Sequence, residues 1–186
     1  MGQIMKSSDE KKNLYDLVSR VNHWALALLI VGMLVFGFYV FEFVPRGPGK
    51  GALIGLHKSI GFVILVLGIW RVGWRLAQGF KRDTGTSPLW QHRVARAAHV
   101  LLLAGVIIMP LSGITGAYFS GRVTSVFGLF SLPVGEKTES LAEIAYGAHV
   151  IAAYSISFVL ILHVAGALKH HFIDRDATLK RMLGKS

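Results

Sequence analysis

The sequence contains no cysteine and few acidic residues. Without cysteine, the 186-residue chain cannot form disulfide bonds, thiolate metal sites or a covalent cofactor attachment through a C-x-x-C-H motif. Only 10 Asp and Glu residues stand against 20 Lys and Arg, which gives a formal net charge of +10. Charged residues make up 16% of the chain and hydrophobic residues 53%. This composition is typical of a protein whose solvent is a lipid bilayer.

Four long apolar stretches predict an all-α membrane protein. Each is long enough to cross a hydrocarbon core of about 30 Å as a helix. A single segment that crosses lipid must be helical, because only a helix pairs all backbone N–H and C=O groups within the segment. The predicted spans are about 21–41, 53–74, 95–118 and 144–168. The first span is too long for the apolar part of a signal peptide and has no small-residue cleavage site, so we expect it to be retained.

Short breaks at 45–49 and 85–88 separate the first three spans and favour an antiparallel four-helix bundle. We assign residues 1–14 to a polar lead and residues 15–186 to a single membrane domain. The connection 119–143 contains an apolar stretch, 126–130, that is too short to span the membrane. We expect that stretch to lie in the interface and cover one end of the bundle.

The basic residues are distributed unevenly along the chain. The segment up to Arg20, the loop 75–94 and the tail from Lys169 hold four, four and five Lys or Arg, whereas the loops 42–52 and 119–143 hold two each. The positive-inside rule therefore places both termini and the middle loop in the cytoplasm. We interpret the positive charge as a topology signal, not as a nucleic-acid surface.

Four histidines near the span ends predict a cofactor site at two depths. His149 and His163 are fourteen residues apart in the fourth span, which corresponds to about 21 Å of helical rise and places both within about 40° of one face. With both termini inside, His23 shares the inner depth with His163, and His57 shares the outer depth with His149. Two histidine pairs at separate depths are what two six-coordinate haems in one bundle require.

Other interpretations of the histidines remain open at this stage. Any one of them could be a hydrogen-bonded core residue. A zinc site is less compatible, because neither depth has three or four clustered His, Cys, Asp or Glu ligands. His99 lies at the inner depth too, as an alternative inner ligand, a quinone contact or a partly hydrated interfacial side chain.

Several nearby residues are candidates for contacts with such a cofactor. Arg20, Arg71, Arg75 and Lys58 could pair with haem propionates, although arginines near a helix end also extend to lipid phosphates. Gly61 and Gly166 follow histidines by three or four residues and could leave room for a flat macrocycle, although small residues in membrane helices more often mediate close helix packing.

These residues resemble those of the bacterial cytochrome b561 family, a group of four-helix di-haem membrane cytochromes. The resemblance runs from about Tyr15 to the carboxyl terminus. It is carried by Arg20–Trp24, Leu56–Gly61, Ala98–His99, the pair His149 and His163, and the tail from Ala167 to Phe172 and from Asp176 to Leu179.

The resemblance implies two non-covalent haem b groups with His23, His57, His149 and His163 as axial ligands to the iron. It also implies a multi-pass protein of the bacterial inner membrane that exchanges electrons with ubiquinone. Some members of the family that the chain resembles transfer electrons from superoxide to ubiquinone. The natural donor and association with further copies of the chain are left open.

We therefore predict transmembrane electron transfer between a periplasmic donor and quinone. The alternative within redox chemistry is a membrane-anchor cytochrome b subunit for a dehydrogenase or hydrogenase, whose soluble partner supplies the electrons. A metal or proton carrier is a third class. It requires charged pathway residues within the spans, which this sequence largely lacks.

Overall fold

Four long helices account for most of the fold. The computed structural model describes residues 15–79 and 88–184. The predicted polar lead 1–14 and most of the predicted break at 85–88 lie outside this part of the chain. The helices are α1 (Leu17–Phe38), α2 (Pro48–Gln78), α3 (Leu89–Phe119) and α4 (Glu139–Phe172). By length and composition, each can cross a membrane, so the four predicted spans are confirmed. Helices α2, α3 and α4 extend beyond their predicted limits at both ends, and α1 does so together with the π-helical turn that continues it to Phe43.

The helices run antiparallel to their sequence neighbours. Ser19 at the start of α1 accepts hydrogen bonds from Arg71 and Trp74 at the end of α2, through its backbone and side-chain oxygens respectively. Asp16 in turn caps α1, because its carboxylate accepts from the Ser19 amide at 2.8 Å. We call the end of the bundle that holds Leu17 the basic end.

Helices α3 and α4 pack along each other more extensively than the other described pairs do. The core between α1, α2 and α3 consists of Leu26, Met33, Ile64 and Val106, all of them buried. The outward faces carry exposed Leu, Ile, Val and Phe, as lipid-facing surfaces do. The backbones of α1 and α2 come less close to α4 than that of α3 does.

The opposite end, which we call the hairpin end, carries two short strands that the all-α prediction did not include. Strands β1 (Thr124–Val126) and β2 (Phe130–Leu132) pair antiparallel. They fold against α2, where the buried Ser59 hydroxyl donates to the Ser125 carbonyl and accepts from the Phe127 amide. The hairpin contains the apolar stretch 126–130, which was expected to cover one end of the bundle, and the structure places it at that end. The turn needs positive φ at Phe127 (51°) and Gly128 (73°), which the apolar character of the stretch did not predict.

Helix α1 continues into a π-helical turn, Tyr39–Phe43, at the hairpin end. Val40 within this turn is completely buried. Single π-helical turns shift the side chains that follow them and occur often at functional sites. Here the turn brings Phe41 against His57, with ring centroids 5.8 Å apart.

A short helix, α5 (Thr178–Leu183), follows α4 at the basic end. The turn before it is held by Asp174 and Asp176, whose carboxylates lie 3.0 and 2.8 Å from the His170 ring nitrogen Nδ1. Burial by itself would raise the pKa of Asp176. The Thr178 amide and hydroxyl and the His170 ring favour the carboxylate, and the net effect holds this pKa below its ordinary value.

Candidate functional site

The predicted outer histidine pair comes together at the hairpin end of the bundle. His57 on α2 and His149 on α4 face each other with ring centroids 6.2 Å apart and planes inclined by 77°. Phe36 and Phe41 of the α1 segment flank the His57 ring at 6.1 and 5.8 Å. Three of the four helices therefore contribute side chains to this layer.

A hydrogen bond from α4 to α3 fixes the His149 imidazole. Its Nδ1 lies 2.7 Å from the Met109 backbone oxygen, and the Ser112 hydroxyl donates to the same oxygen at 2.7 Å. A carbonyl oxygen can only accept, so Nδ1 must carry the proton and donate. The lone pair of Nε2 is then available to a metal, as it is when a ligating histidine is oriented by a second bond to a backbone carbonyl.

His57 has a different environment. Its Nδ1 is buried and has no hydrogen-bond partner among the described residues. A histidine retained only for structure in a protein interior normally has its ring nitrogens satisfied. The unsatisfied nitrogen therefore argues against a purely structural role for His57.

Two glycines that the sequence did not single out for this site touch the outer imidazoles. A Cβ atom added at Gly37 on α1 would lie 3.1 Å from Cε1 of His57. One added at Gly113 on α3 would lie 3.1 Å from both Nδ1 and Cε1 of His149. Each glycine thus lets a neighbouring helix approach an imidazole closely. Both were visible as glycines within predicted spans, but which ring they face depends on the helix packing.

The layer predicted to be the inner one lies at the basic end and contains three of the described histidines. The ring of His163 on α4 lies 6.4 Å from that of His23 on α1, with planes inclined by 66°. The His99 ring on α3 lies 5.2 Å from the His163 ring, and Trp24 packs edge-on against His23 at 5.4 Å. The structure therefore brings together all five histidines that the sequence placed at these two depths.

The four candidate cations contact protein groups in the structure. Arg71 is buried and donates to Ser19, while Arg75 lies over the Tyr15 ring at 5.4 Å. Lys58 donates to the Val123 carbonyl at 3.3 Å, next to the hairpin. The Arg20 guanidinium packs against Gly184, at the end of α5. Their pairing with propionates stays a prediction.

Gly61 and Gly166 do not mediate close contacts between helices. A Cβ atom added at either position would meet no described atom within 4 Å. This differs from Gly105, where an added Cβ would lie 2.7 Å from Ile156, and from Gly116, where it would lie 2.7 Å from Tyr146. Close packing therefore explains the second pair of glycines and leaves the first pair free for the predicted cofactor role.

The spacing of both histidine pairs fits an iron held between two imidazoles. Histidine–metal bonds are about 2 Å long, and a ring nitrogen lies about 1 Å from its ring centroid, so two opposed rings on one metal have centroids about 6 Å apart. The measured separations are 6.2 Å in the outer pair and 6.4 Å in the inner pair. Among residues 15–79 and 88–184, neither pair belongs to a cluster of three or more possible metal ligands of the kind that a structural zinc site needs, although His99 lies beside His163.

Known proteins are similar to this chain over most of its length. The family model described as prokaryotic cytochrome b561 matches residues 14–185. The chain is 32% identical over 173 residues to "Cytochrome b561 homolog 2" of Escherichia coli K12, covering 92% of each chain. "Cytochrome b561 homolog 1" of the same organism is 26% identical, covering 87% of this chain and 92% of its own.

A third relative, "Probable superoxide oxidase CybB" of Yersinia pestis, is 29% identical, covering 88% of this chain and 92% of its own. The match spans nearly the whole chain, and the four helices are long enough to cross a membrane. The chain belongs to the prokaryotic cytochrome b561 family: it is a multi-pass bacterial membrane cytochrome of electron transport that binds haem b.

Proposed function

We propose that the protein transfers electrons across the membrane through two haem b groups, one in each histidine layer. The observation that carries this proposal is the presence of two opposed imidazole pairs of nearly equal spacing, 6.2 and 6.4 Å, that share helix α4. His57 and His149 would hold the outer haem, and His23 and His163 the inner one. When bound, each haem supplies a one-electron redox centre.

The spacing within the inner layer favours His23 over His99 as the partner of His163. The His99–His163 centroid separation of 5.2 Å is about 1 Å shorter than two rings on one iron require, whereas the His23–His163 separation matches. His99 is also more exposed than His23 and His163, which are both half-buried. An enclosed ligand and an exposed contact are different roles, and the exposure of His99 suits it to the second.

We assign His99 to a quinone contact next to the inner layer. Its ring contacts His163, and the residue is exposed in the structure, so it can hydrogen-bond to a quinone that reaches this layer from the bilayer. The expected phenotype of His99→Ala is retention of both haems with slower electron exchange with ubiquinone. His99→Asn, which keeps a donor and an acceptor, should recover part of that rate. Loss of the inner haem in His99→Ala would make His99 a ligand instead.

The proposed topology places both termini in the cytoplasm, which makes the His23–His163 layer the inner one. A small anionic donor would then react at the periplasmic hairpin end. By analogy with the name of the Yersinia relative, we propose superoxide as that donor. Two superoxide anions give up one electron each and become dioxygen, and these two electrons with two protons reduce one ubiquinone to ubiquinol.

Histidine substitution with haem counting tests the proposal. His57→Ala and His149→Ala should each remove the same haem from the purified protein, and His23→Ala and His163→Ala should each remove the other. His92→Ala, at the start of the same helix as His99 but outside both layers, is the matched control and should retain two haems. One haem in the parent protein, or members of one pair that remove different haems, would contradict the assignment.

The donor is tested separately with the purified parent protein. Reduction of ubiquinone by enzymatically generated superoxide, with ubiquinol measured directly, is the expected result. A protein that contains two haems but stays inert until a soluble dehydrogenase or hydrogenase subunit is added would instead be a membrane-anchor subunit. A protein that contains no haem when it is produced with haem available would refute the assignment as an electron-transfer cytochrome. A metal or proton carrier would then be the remaining interpretation.

A further inference from the structure

A groove runs along the outer surface of the basic end, between α1 and α5. Its volume is about 510 Å³, and its floor is formed by Leu17, Val21, Ala25 and Leu28 of α1. Met182 and Leu183 of α5 form the facing wall. The Trp24 indole donates to the Met182 backbone oxygen at 3.1 Å, so the wall is fixed to the floor.

The floor has the shape and chemistry to hold an acyl chain. Its four residues are spaced four, four and three apart and therefore lie on one face of α1. They span eleven residues, or about 16 Å of helical rise, which is close to half of a hydrocarbon core about 30 Å thick. The groove therefore extends over about one leaflet, starting at the membrane surface.

The mouth of the groove carries an arginine whose donors are incompletely used. Arg20 lines the groove, and its Nε is buried with no hydrogen-bond partner among the described residues. A buried charged donor without a partner is unfavourable. The planar guanidinium offers its N–H groups in a fork that matches the oxygens of a phosphate group.

The surroundings of Arg20 are positive as well. Lys180 and Arg181 lie on α5, next to the wall of the groove. The carboxylates at this end have other partners: Asp16 accepts from the Ser19 amide and hydroxyl, Asp174 pairs with Lys169, and Asp176 pairs with His170. Basic pockets at this depth of a membrane protein favour anionic headgroups over neutral ones. An apolar channel of one-leaflet length below a cationic mouth is complementary to a single amphiphile with a phosphate head.

We propose that the groove between α1 and α5 is a binding site for one anionic phospholipid, with its phosphate on Arg20 and an acyl chain along the α1 floor. Bound there, the lipid bridges the first membrane helix and the carboxyl-terminal helix. The site lies on the surface of α1 and contains no histidine of either layer, although it adjoins the inner layer through Trp24, which packs against His23. A free phosphate ion shares the headgroup chemistry but cannot occupy the floor.

Native mass spectrometry of the full-length, haem-loaded protein tests this site. Phosphatidylglycerol and phosphatidylcholine with identical acyl chains are added to the protein in detergent. We expect one phosphatidylglycerol to be retained at least tenfold more tightly than phosphatidylcholine, and we expect Arg20→Gln to remove most of that preference. Arg46→Gln, which removes an exposed cation at the hairpin end, is the matched control and should leave retention unchanged.

A second variant addresses the floor. Ala25→Trp fills the groove without changing its charge, and it should also weaken phosphatidylglycerol retention about tenfold while the haem spectrum stays that of the parent. The haem spectrum shows whether each variant is folded, so Ala25→Trp decides the question if Arg20→Gln does not fold. Displacement of the lipid by millimolar inorganic phosphate would make the site a free-anion site and overturn the proposal. Displacement by ubiquinone, or equal retention of both lipids by the parent, would overturn it as well.

Discussion

A single methyl group at Gly113 should separate the folding of the bundle from its ability to hold the outer haem. A Cβ at this position would lie 3.1 Å from two atoms of the His149 ring. Dispersion between carbon atoms is most favourable at about 3.5–4.0 Å, so this contact would be too short. The ring cannot simply turn away, because its Nδ1 donates to the Met109 carbonyl at 2.7 Å. The methyl group therefore pushes on an imidazole whose orientation the site requires.

Two opposing effects set the magnitude. Replacing glycine by alanine inside a helix stabilises it by about 1 kcal/mol, whereas overpacking a well-filled site costs about 1–3 kcal/mol. We expect the free energy of unfolding of Gly113→Ala to stay within about 1 kcal/mol of the parent value. Haem affinity at the outer layer should fall about tenfold, or about 1.4 kcal/mol, because the strain falls on His149. The inner layer should be unaffected.

Haem titration of the haem-free protein, followed by reduced-minus-oxidised spectra, measures the two affinities. Gly32→Ala is the matched control, since a Cβ there meets no described atom within 4 Å. It should bind both haems as the parent does and gain stability from the helix effect alone. Unchanged haem affinity at both layers in Gly113→Ala would refute the assignment of Gly113 as a positioning residue for His149.

Three further outcomes follow from other contacts. Gly105→Ala should lower the free energy of unfolding by about 1–2 kcal/mol, because the added Cβ would lie 2.7 Å from the Ile156 side chain. A double-mutant cycle with Ile156→Ala should show that most of this loss comes from the clash between the two side chains. Ser59→Ala should make the Phe127 amide exchange with solvent about fivefold faster, because loss of its 3.0 Å hydrogen bond to the Ser59 hydroxyl costs about 1 kcal/mol. Unchanged exchange would show that the hairpin does not depend on this bond. Because the folded-state pKa of Asp176 is depressed, its ionised carboxylate stabilises the fold fully above its ordinary pKa of about 4, and this stabilisation is lost as the pH falls through the lower folded value. The backbone amides of α5 should therefore lose protection from hydrogen exchange below about pH 4. Asp176→Asn should remove that pH dependence.

Helical period and membrane depth were sufficient to predict the histidine layers. A rise of about 1.5 Å per residue turns the fourteen-residue interval between His149 and His163 into a distance, and the span ends supply the depth of His23 and His57. The measured pairs agree with that reasoning. Four spans could be predicted as well, because the bilayer requires long uninterrupted apolar segments and leaves few alternatives.

Features that depend on contacts between helices could not be predicted in this way. Nothing in the sequence relates the carbonyl of Met109 to the ring of His149, because their proximity depends on how α3 slides along α4. The same holds for the contact between Arg20 and Gly184 at the end of α5, which no feature of the sequence indicates. The hairpin escaped prediction because its strands are three residues long and its turn places a phenylalanine at positive φ, where glycine or asparagine is usual.

The register between α3 and α4 links the two histidine layers physically. Helix α4 supplies one histidine to each layer, so a slip of one turn along its axis would move both by about 5.4 Å and break both pairs together. Its contacts with α3 occur at Gly116–Tyr146, Gly113–His149, Gly105–Ile156 and His99–His163, four steps of one antiparallel register that runs the length of the helices.

The contacts at Gly105 and Gly116 are too close for a side chain on α3, and the contact at Gly113 is tighter than an ordinary one, so all three fix the position of α4 by steric fit. A helix that holds ligands at both ends of a bundle needs a neighbour that fixes its height. The glycines of α3 allow that neighbour to approach closely enough to do so.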